Sequence, residues 1–320
     1  MIKAGIIGGA GYTAGELLRL LVNHPEVELV FVHSQSNAGA FLWEVHEGLF
    51  GETDKRFDSD FDLGAVDVVF LCGAHGKSAA FWEENPCPEG LKVIDLAQDY
   101  RNESEGYVYG LPEWQKEKIC KAVKLANPGC FATAIQLALL PLAKAGLLRG
   151  EVSINAITGS TGAGVKPGAT THFSWRNNNV STYKVFEHQH LIEIGRNLSL
   201  LQGAPVGELD FVPFRGDFAR GIFASVVTAC ELDEAEISAL YKDFYKDAAF
   251  TFVCDKALDL KQVVNTNKCL VHVEKHGSKL VISSIIDNLL KGASGQALQN
   301  MNLMFGLDEK TGLKLKASAF

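Results

Sequence analysis

The sequence predicts a two-domain α/β protein, a doubly wound parallel sheet followed by an α+β domain, and three observations carry that prediction. Strand-length apolar runs alternate with helical stretches from Ile2 to Leu125. A glycine turn, Gly8-Gly9-Ala10-Gly11, follows the first of those strands at once. Beyond Gly146 the alternation gives way to β-rich runs. A chain of 320 residues also exceeds the size of one ordinary core, so two domains are expected.

Ile2 to Ile7 suits a buried parallel strand, and helix is expected from Gly15-Glu16 through Leu21. Strand, glycine turn and helix in that order make a dinucleotide-binding unit, here spaced G-x-x-G-x-x-A. Gly8 makes the turn, Gly11 lets the backbone approach a pyrophosphate, and small Ala14 permits close helix packing. Tyr12 and Thr13 complete the expected cofactor contacts. A second strand, Val27 to His33, ends where an acidic residue would select the 2′-hydroxyl of NAD. Ser34, Gln35, Ser36 and Asn37 stand there instead, neutral groups that accept a 2′-phosphate without repulsion, so NADP is expected, with Ser34 and Ser36 in contact. Further strands are expected at Val66 to Leu71, Lys92 to Leu96 and Val123 to Leu125, with helices at Ser78 to Glu84 and Glu113 to Cys120. Ligands of such a sheet collect at the carboxyl ends of its strands. The glycine turn, Gly73 to Gly76, Asp95 to Arg101 and Asn127 to Cys130 all lie at such ends.

Asn127-Pro128-Gly129-Cys130 is the stretch with chemistry in it. Pro128 and Gly129 end a strand, and the breaker-free run from Ala132 to Leu140 begins a helix within a residue of Cys130. The unpaired N–H groups at a helix start favour thiolate over thiol, which makes Cys130 the candidate nucleophile rather than a buried small hydrophobe. After Gly146, strands are expected at Glu151 to Thr158, Gly207 to Val212, Gly221 to Leu232 and Leu280 to Ile286, with helices at Glu187 to Leu198 and Glu234 to Asp243. The glycine-rich loop Thr158 to Gly164 offers the tight turn a substrate requires. Ser160, Thr161 and Gly162 within it, and Asn127 before the cysteine, are expected substrate contacts. A last helix, to about Met304, is expected to pack back on the first domain.

A formal charge of −8 argues against a broad nucleic-acid footprint. No apolar run reaches the length of a membrane span, and the chain opens straight into a strand rather than a signal peptide, so a cytoplasmic enzyme is expected. Seven cysteines at irregular spacing, without a C-x-x-C pair, suggest neither a disulfide framework nor a zinc site, and no metal is expected.

These motifs together resemble the N-acyl-γ-glutamyl-phosphate reductases of arginine biosynthesis, relatives of the aspartate-semialdehyde dehydrogenases. The resemblance rests on Gly8 to Leu18, Asp95 to Arg101, Tyr109 to Glu113, Ala126 to Cys130, Thr158 to Gly164, Tyr183-Lys184-Val185 leading to His188-Gln189-His190, and Asp287 to Gln296. It implies a Rossmann-type cofactor domain, residues 1–129 with 288–320, and an α+β catalytic and dimerisation domain, residues 130–287. It also implies a homo-oligomer, dimer or tetramer, acting on a small acyl phosphate. The nucleophile falls on Cys130, the His-x-His pair on His188 and His190, the nicotinamide-contacting asparagine on Asn288, and the phosphate-site arginine on Arg101, whose fork suits a phosphate bidentately. Departures are Thr158 and Thr161 in serine places, Val165 where an arginine is usual, and Pro213-Phe214 in place of Pro-His.

The chemistry these residues suggest is acyl transfer coupled to hydride transfer. Cys130 attacks an activated acyl group, phosphate leaves, and the thioester is reduced to an aldehyde, with helix N–H groups stabilising the oxyanions. His190 is the expected acid/base and His188 its helper; residues two apart do not share a helical face, so only one is expected to point inward. The acyl group on the glutamyl nitrogen, acetyl or succinyl, is left open by the sequence, as are the alternatives of a reductase of aspartyl or aminoadipyl phosphate and of a non-catalytic NADP-binding regulator.

Overall fold

A computed structural model of the protein describes residues 1–318. The chain forms two compact units, Met1–Pro128 with Ala293–Lys314, and Gly129–Gly292 with the segment from Leu315.

The first unit opens with β1 (Ile2–Ile7), α1 (Tyr12–Leu21), β2 (Val27–His33) and a single turn, α2 (Leu42–Val45). It continues through β3 (Val68–Leu71), α3 (Ser78–Glu84), β4 (Lys92–Asp95), β5 (Tyr107–Tyr109), α4 (Pro112–Ile119) and β6 (Lys124–Ala126). Six strands form one sheet in the order β2-β1-β3-β4-β6-β5, and every pairing is parallel. β2 and β3 lie on opposite sides of β1, which makes the carboxyl end of β1 the point where the chain's winding reverses, the place where such sheets bind ligands. All four residues of β3 are buried, the signature of a strand covered on both faces.

In the second unit α5 (Cys130–Lys144) comes first, then β7 (Val152–Thr158), a single turn α6 (Phe173–Arg176), β8 (Ser181–Thr182) and α7 (His190–Gln202). β9 (Leu209–Arg215), β10 (Ile222–Ala229), α8 (Glu234–Tyr245), β11 (Thr251–Val253), β12 (Cys269–His276) and β13 (Lys279–Ile286) follow. The seven strands make a mixed sheet, β11-β12-β13-β10-β7-β9-β8. Ile222, Ala224, Val226 and Thr228 of β10 are buried in strict alternation, as are Val152, Ile154, Ala156 and Thr158 of β7, so one face of the sheet is apolar. α5 covers that face, packing on β10 and β13 and against α7. It is buried from Phe131 to Ala143 although it contains Pro141. Proline has no N–H to give the carbonyl four residues back. The Tyr245 hydroxyl of α8 donates to that carbonyl, Leu137 O, at 2.5 Å, and Tyr241 donates to Ala138 O at 2.7 Å.

A π-helical turn, Leu290–Ser294, leads into α9 (Gly295–Met304), which belongs to the first unit and packs on α1 and α4. Of its buried polar side chains, Asn302 donates to the carbonyls of Glu309 and Thr311, and Asn300 to Gly110 O. The return to the first unit falls at Ala293 and not at residue 288 as expected, because Asp287 and Asn288 are tied to the second unit by Arg220 and by the Gly221 N–H. β5, β8, β11 and β12 are strands beyond those expected from sequence.

Candidate active site

At the carboxyl end of β1, Gly8 takes φ +82°, and a Cβ there would stand 3.1 Å from the Cys72 carbonyl carbon, so only glycine turns the chain here. Gly11 caps α1 in extended conformation with no side-chain partner, and nothing lies within 4 Å of the space its missing Cβ leaves. The N–H groups at the start of α1 therefore face an open cradle, which fits a pyrophosphate. Ala14 is fully buried, and His46 supports the turn from behind by bonding Gly9 O at 2.7 Å. Tyr12 is exposed, and Thr13 O accepts from the Ser294 hydroxyl. Past β2, Asn37 donates to the hydroxyls of Ser34 and Ser36, whose own hydrogens are left for a ligand. A cation not foreseen from sequence stands at the same loop: Arg56, stacked 3.4 Å over the Phe41 ring, donates to Gly39 O.

Asp95, fully buried at the end of β4, accepts from Ala97 N–H, and burial pushes its carboxyl up to about 6. Arg101 and Asn127 are also buried, and the structure gives them main-chain partners. Arg101 donates from Nε to Asn127 O and from Nη2 to Leu96 O. These two bonds brace the ends of β4 and β6 and leave further N–H donors of the fork beyond them. The Asn127 amide donates to Ala293 O and accepts from Asn300.

In the second unit Cys130 is the first residue of α5, half-buried, behind an extended Gly129. Helix geometry leaves the N–H groups of Cys130, Phe131 and Ala132 without an intrahelical acceptor. Two glycines make the thiol's surroundings possible. A Cβ on Gly292 would fall 2.9 Å from Cys130 Cβ, and one on Gly129 would fall 2.3 Å from His190 Nε2. The His190 ring therefore lies flat against the residue before the nucleophile. Glu193, one turn along α7, stands 4.0 Å from His190 Nε2 and accepts the Gly129 N–H at 3.3 Å.

His188 and His190 are both buried, their ring centroids 4.6 Å apart. The expectation that only one could point inward assumed that both were helical. α7 starts at His190, after left-handed residues at Lys184 and Phe186, so His188 precedes the helix and escapes that limit. Phe131 and Phe211 pack edge-on to the His188 ring, and burial, then the cations of Lys184 and Arg215, push its pKa down to about 4. His188 Nδ1 accepts the His190 N–H, so neutral His188 carries its proton on Nε2. Tyr183 lies beside His188; burial, and next the Cys130 sulfur, push its hydroxyl up to about 12.

The loop Gly159 to Gly164 is held down by Thr161, whose hydroxyl donates to Ala219 O and accepts from Asn288. Asn288 also accepts the Gly221 N–H, so this asparagine ties the loop to the start of β10. Ser160 is half-buried and Gly162 exposed. Among the described residues no group of three His, Cys, Asp or Glu side chains could hold a metal, and no helix is long and apolar enough to cross a membrane.

Two family models match the two units. Residues 3–122 match the NAD-binding domain of semialdehyde dehydrogenases, and residues 130–288 match their dimerisation domain. Over its whole length the chain is 62% identical to a protein of Bacteroides thetaiotaomicron and 59% identical to one of Phocaeicola vulgatus, each covered fully and each named N-acetyl-gamma-glutamyl-phosphate reductase. This chain belongs to the semialdehyde dehydrogenase family. Among solved structures, aspartate semialdehyde dehydrogenase II of Vibrio cholerae matches with a TM-score of 0.74 at 16% identity, over 96% of this chain and 98% of that one, and shows the shared fold. In this semialdehyde dehydrogenase the glycine turn lies within the matched NAD-binding domain, and Cys130 is the first residue of the matched dimerisation domain.

Proposed function

We propose that the protein reduces N-acetyl-γ-glutamyl phosphate to the γ-semialdehyde with release of phosphate, a step of arginine biosynthesis, through a thioester on Cys130. The single observation that carries this reading is a cysteine at an uncapped helix start with a histidine ring packed against the residue before it. The full-length identity to reductases of that substrate supports it over aspartyl or aminoadipyl phosphate. A non-catalytic regulator has no use for such a constellation.

Cys130 Sγ attacks the acyl carbon, and the oxyanion that forms meets the N–H groups at the head of α5. His190 takes the thiol proton and returns it to the sulfur as the thiohemiacetal alkoxide collapses to the aldehyde and the C–S bond breaks, its ring set against Gly129 with Glu193 4.0 Å from Nε2. His188, neutral because of its burial, accepts the backbone N–H of His190 and so fixes the first residue of α7, and is itself too weak a base for the main role. The bound nicotinamide supplies the hydride. NADP is the proposed cofactor: Ser34, Ser36 and Arg56 offer a 2′-phosphate two hydroxyls and a guanidinium, with Gly8, Gly11, Tyr12, Thr13 and Ala14 forming the pyrophosphate turn. Asn288 is proposed as a nicotinamide contact, and Ser160, Thr161 and Gly162 as substrate contacts. A homodimer is proposed from the dimerisation-domain match and from the exposed apolar side chains of Phe173, Val180, Phe186 and Ile192.

The reverse reaction tests the reading. N-acetylglutamate γ-semialdehyde should support phosphate-dependent reduction of NADP, and aspartate semialdehyde should not. The opposite ranking would move the chain to the sister activity.

A further inference from the structure

We infer that Arg215 is the anchor for the α-carboxylate of the substrate, a role that rests on the acyl-glutamyl reading above. Alternate residues of a strand share a face, so Phe211, Pro213 and Arg215 of β9 point the same way. Phe211 defines where that face looks, since its ring packs 5.1 Å from Phe131, next to the nucleophile, and 5.4 Å from His188. The Arg215 guanidinium follows the same direction and lies 4.4 Å over the ring of Tyr183, which itself borders His188 at 5.8 Å.

Its charge has no counterion. Arg215 Nε is buried without a hydrogen-bond partner, and among the described residues no carboxylate pairs with the guanidinium. Of the arginines nearby, Arg220 forks onto Asp287, and Arg176, whose Nε is likewise unpartnered, donates from its Nη atoms to the carbonyls of Asn179, Arg215 and Thr170 and to the Ser181 hydroxyl. The nearest acid in sequence, Asp217, is engaged with the Asn178 N–H. The guanidinium also bonds the Tyr183 side chain, and since it cannot shed its proton to escape desolvation, its unpartnered Nε–H is a donor open to an anion. An aromatic face under the guanidinium holds it flat, with its planar edge set for bidentate recognition of a carboxylate.

The glutamyl substrate carries such a group four bonds from the carbon that Cys130 attacks. The glycine loop does not supply a cation for it: the position after Gly164, where the resemblance leads one to expect arginine, is Val165, which is exposed. Arg215 reaches the site from β9 instead.

The test compares wild type, Arg215→Met and Arg215→Lys in the reverse reaction with two aldehydes, N-acetylglutamate γ-semialdehyde and N-acetyl-4-aminobutyraldehyde, which differ only by the α-carboxylate. Arg215→Met should raise the KM for the carboxylated aldehyde about 10- to 100-fold, leave the KM for phosphate and for NADP within twofold, and abolish the preference between the two aldehydes. Arg215→Lys, which keeps charge and packing but not the fork, should fall between. An unchanged preference in Arg215→Met overturns the inference, and so does a rise in the KM for phosphate alone, which would assign the guanidinium to the phosphate. Either result leaves wild type active. A wild type inert toward both aldehydes fails the acyl-glutamyl reading and the inference with it, and is distinguished by that inertness.

Discussion

Replacing Gly129 by alanine should disable the enzyme by displacing the ring of its acid/base, His190. The backbone at Gly129, φ −71° and ψ 153°, is open to alanine, so the helix start and Cys130 should persist. The new methyl, however, would lie 2.3 Å from His190 Nε2 and 2.6 Å from Cε1. To reach the 3.4 Å of ordinary contact the ring must retreat by about 1 Å, which takes Nε2 out of its place beside Gly129 and Glu193. Misplacement on that scale costs roughly 10²-fold in rate, and complete loss of a general acid/base costs roughly 10²- to 10⁴-fold. The expected fall in kcat is therefore about 10²-fold, or ~2.7 kcal/mol of barrier, with the KM for NADP unchanged. The assay is phosphate-dependent NADP reduction by wild type, Gly129→Ala, His190→Asn and the double variant. If the methyl acts only through the ring, it should cost little once His190 is gone. A Gly129→Ala enzyme with wild-type kcat, or one whose loss adds fully to that of His190→Asn, would refute the reasoning.

Ser34→Asp should abolish or reverse the preference for NADP over NAD, since a carboxylate would meet the 2′-phosphate; equal kcat/KM for both cofactors in wild type would show that the loop does not read that position. Tyr245→Phe should destabilise the second unit by about 1–3 kcal/mol, because Leu137 O, already deprived of a donor by Pro141, is left buried and unbonded; urea unfolding checks it. His188 and Asp95 should give opposite pH dependences. With its pKa near 4 in the fold against 6.5 unfolded, His188 contributes ~3 kcal/mol that is present above pH 6.5 and lost as pH falls toward 4, so His188→Gln should flatten the acid loss of the second unit. Asp95, near 6 in the fold against 3.8 unfolded, contributes ~3 kcal/mol present below about pH 3.8 and lost as pH rises through 6, so Asp95→Asn should stabilise the first unit at pH 7. Hydrogen exchange resolved by unit, between pH 4 and 7.5, separates the two.

The elements that could be read from sequence are those whose pattern is local. The first strand, its glycine turn and α1 announce themselves within twenty residues, and Pro128-Gly129 marks the start of α5 to the residue. Three-residue β5 is too short to show a period, and β12 buries only part of one face, so its charged half hides it among loops. The site residues that escaped notice depend on distant partners. Glu193 matters through Gly129, 64 positions away, and Arg215 through a tyrosine on another segment. Arg101 shows the converse: its place at a strand's carboxyl end is legible, while its bonds to the carbonyls of Asn127 and Leu96 are not.

The central claim is an acyl-enzyme on Cys130, and one measurement meets it most directly. Enzyme mixed with N-acetyl-γ-glutamyl phosphate and oxidised NADP, which cannot reduce the thioester, should release a burst of one phosphate per active site. Mass spectrometry of the quenched protein should place the N-acetylglutamyl group on the peptide containing Cys130, and Cys130→Ser should show neither burst nor adduct. A burst that survives Cys130→Ser, or an adduct found on another residue, would contradict the account.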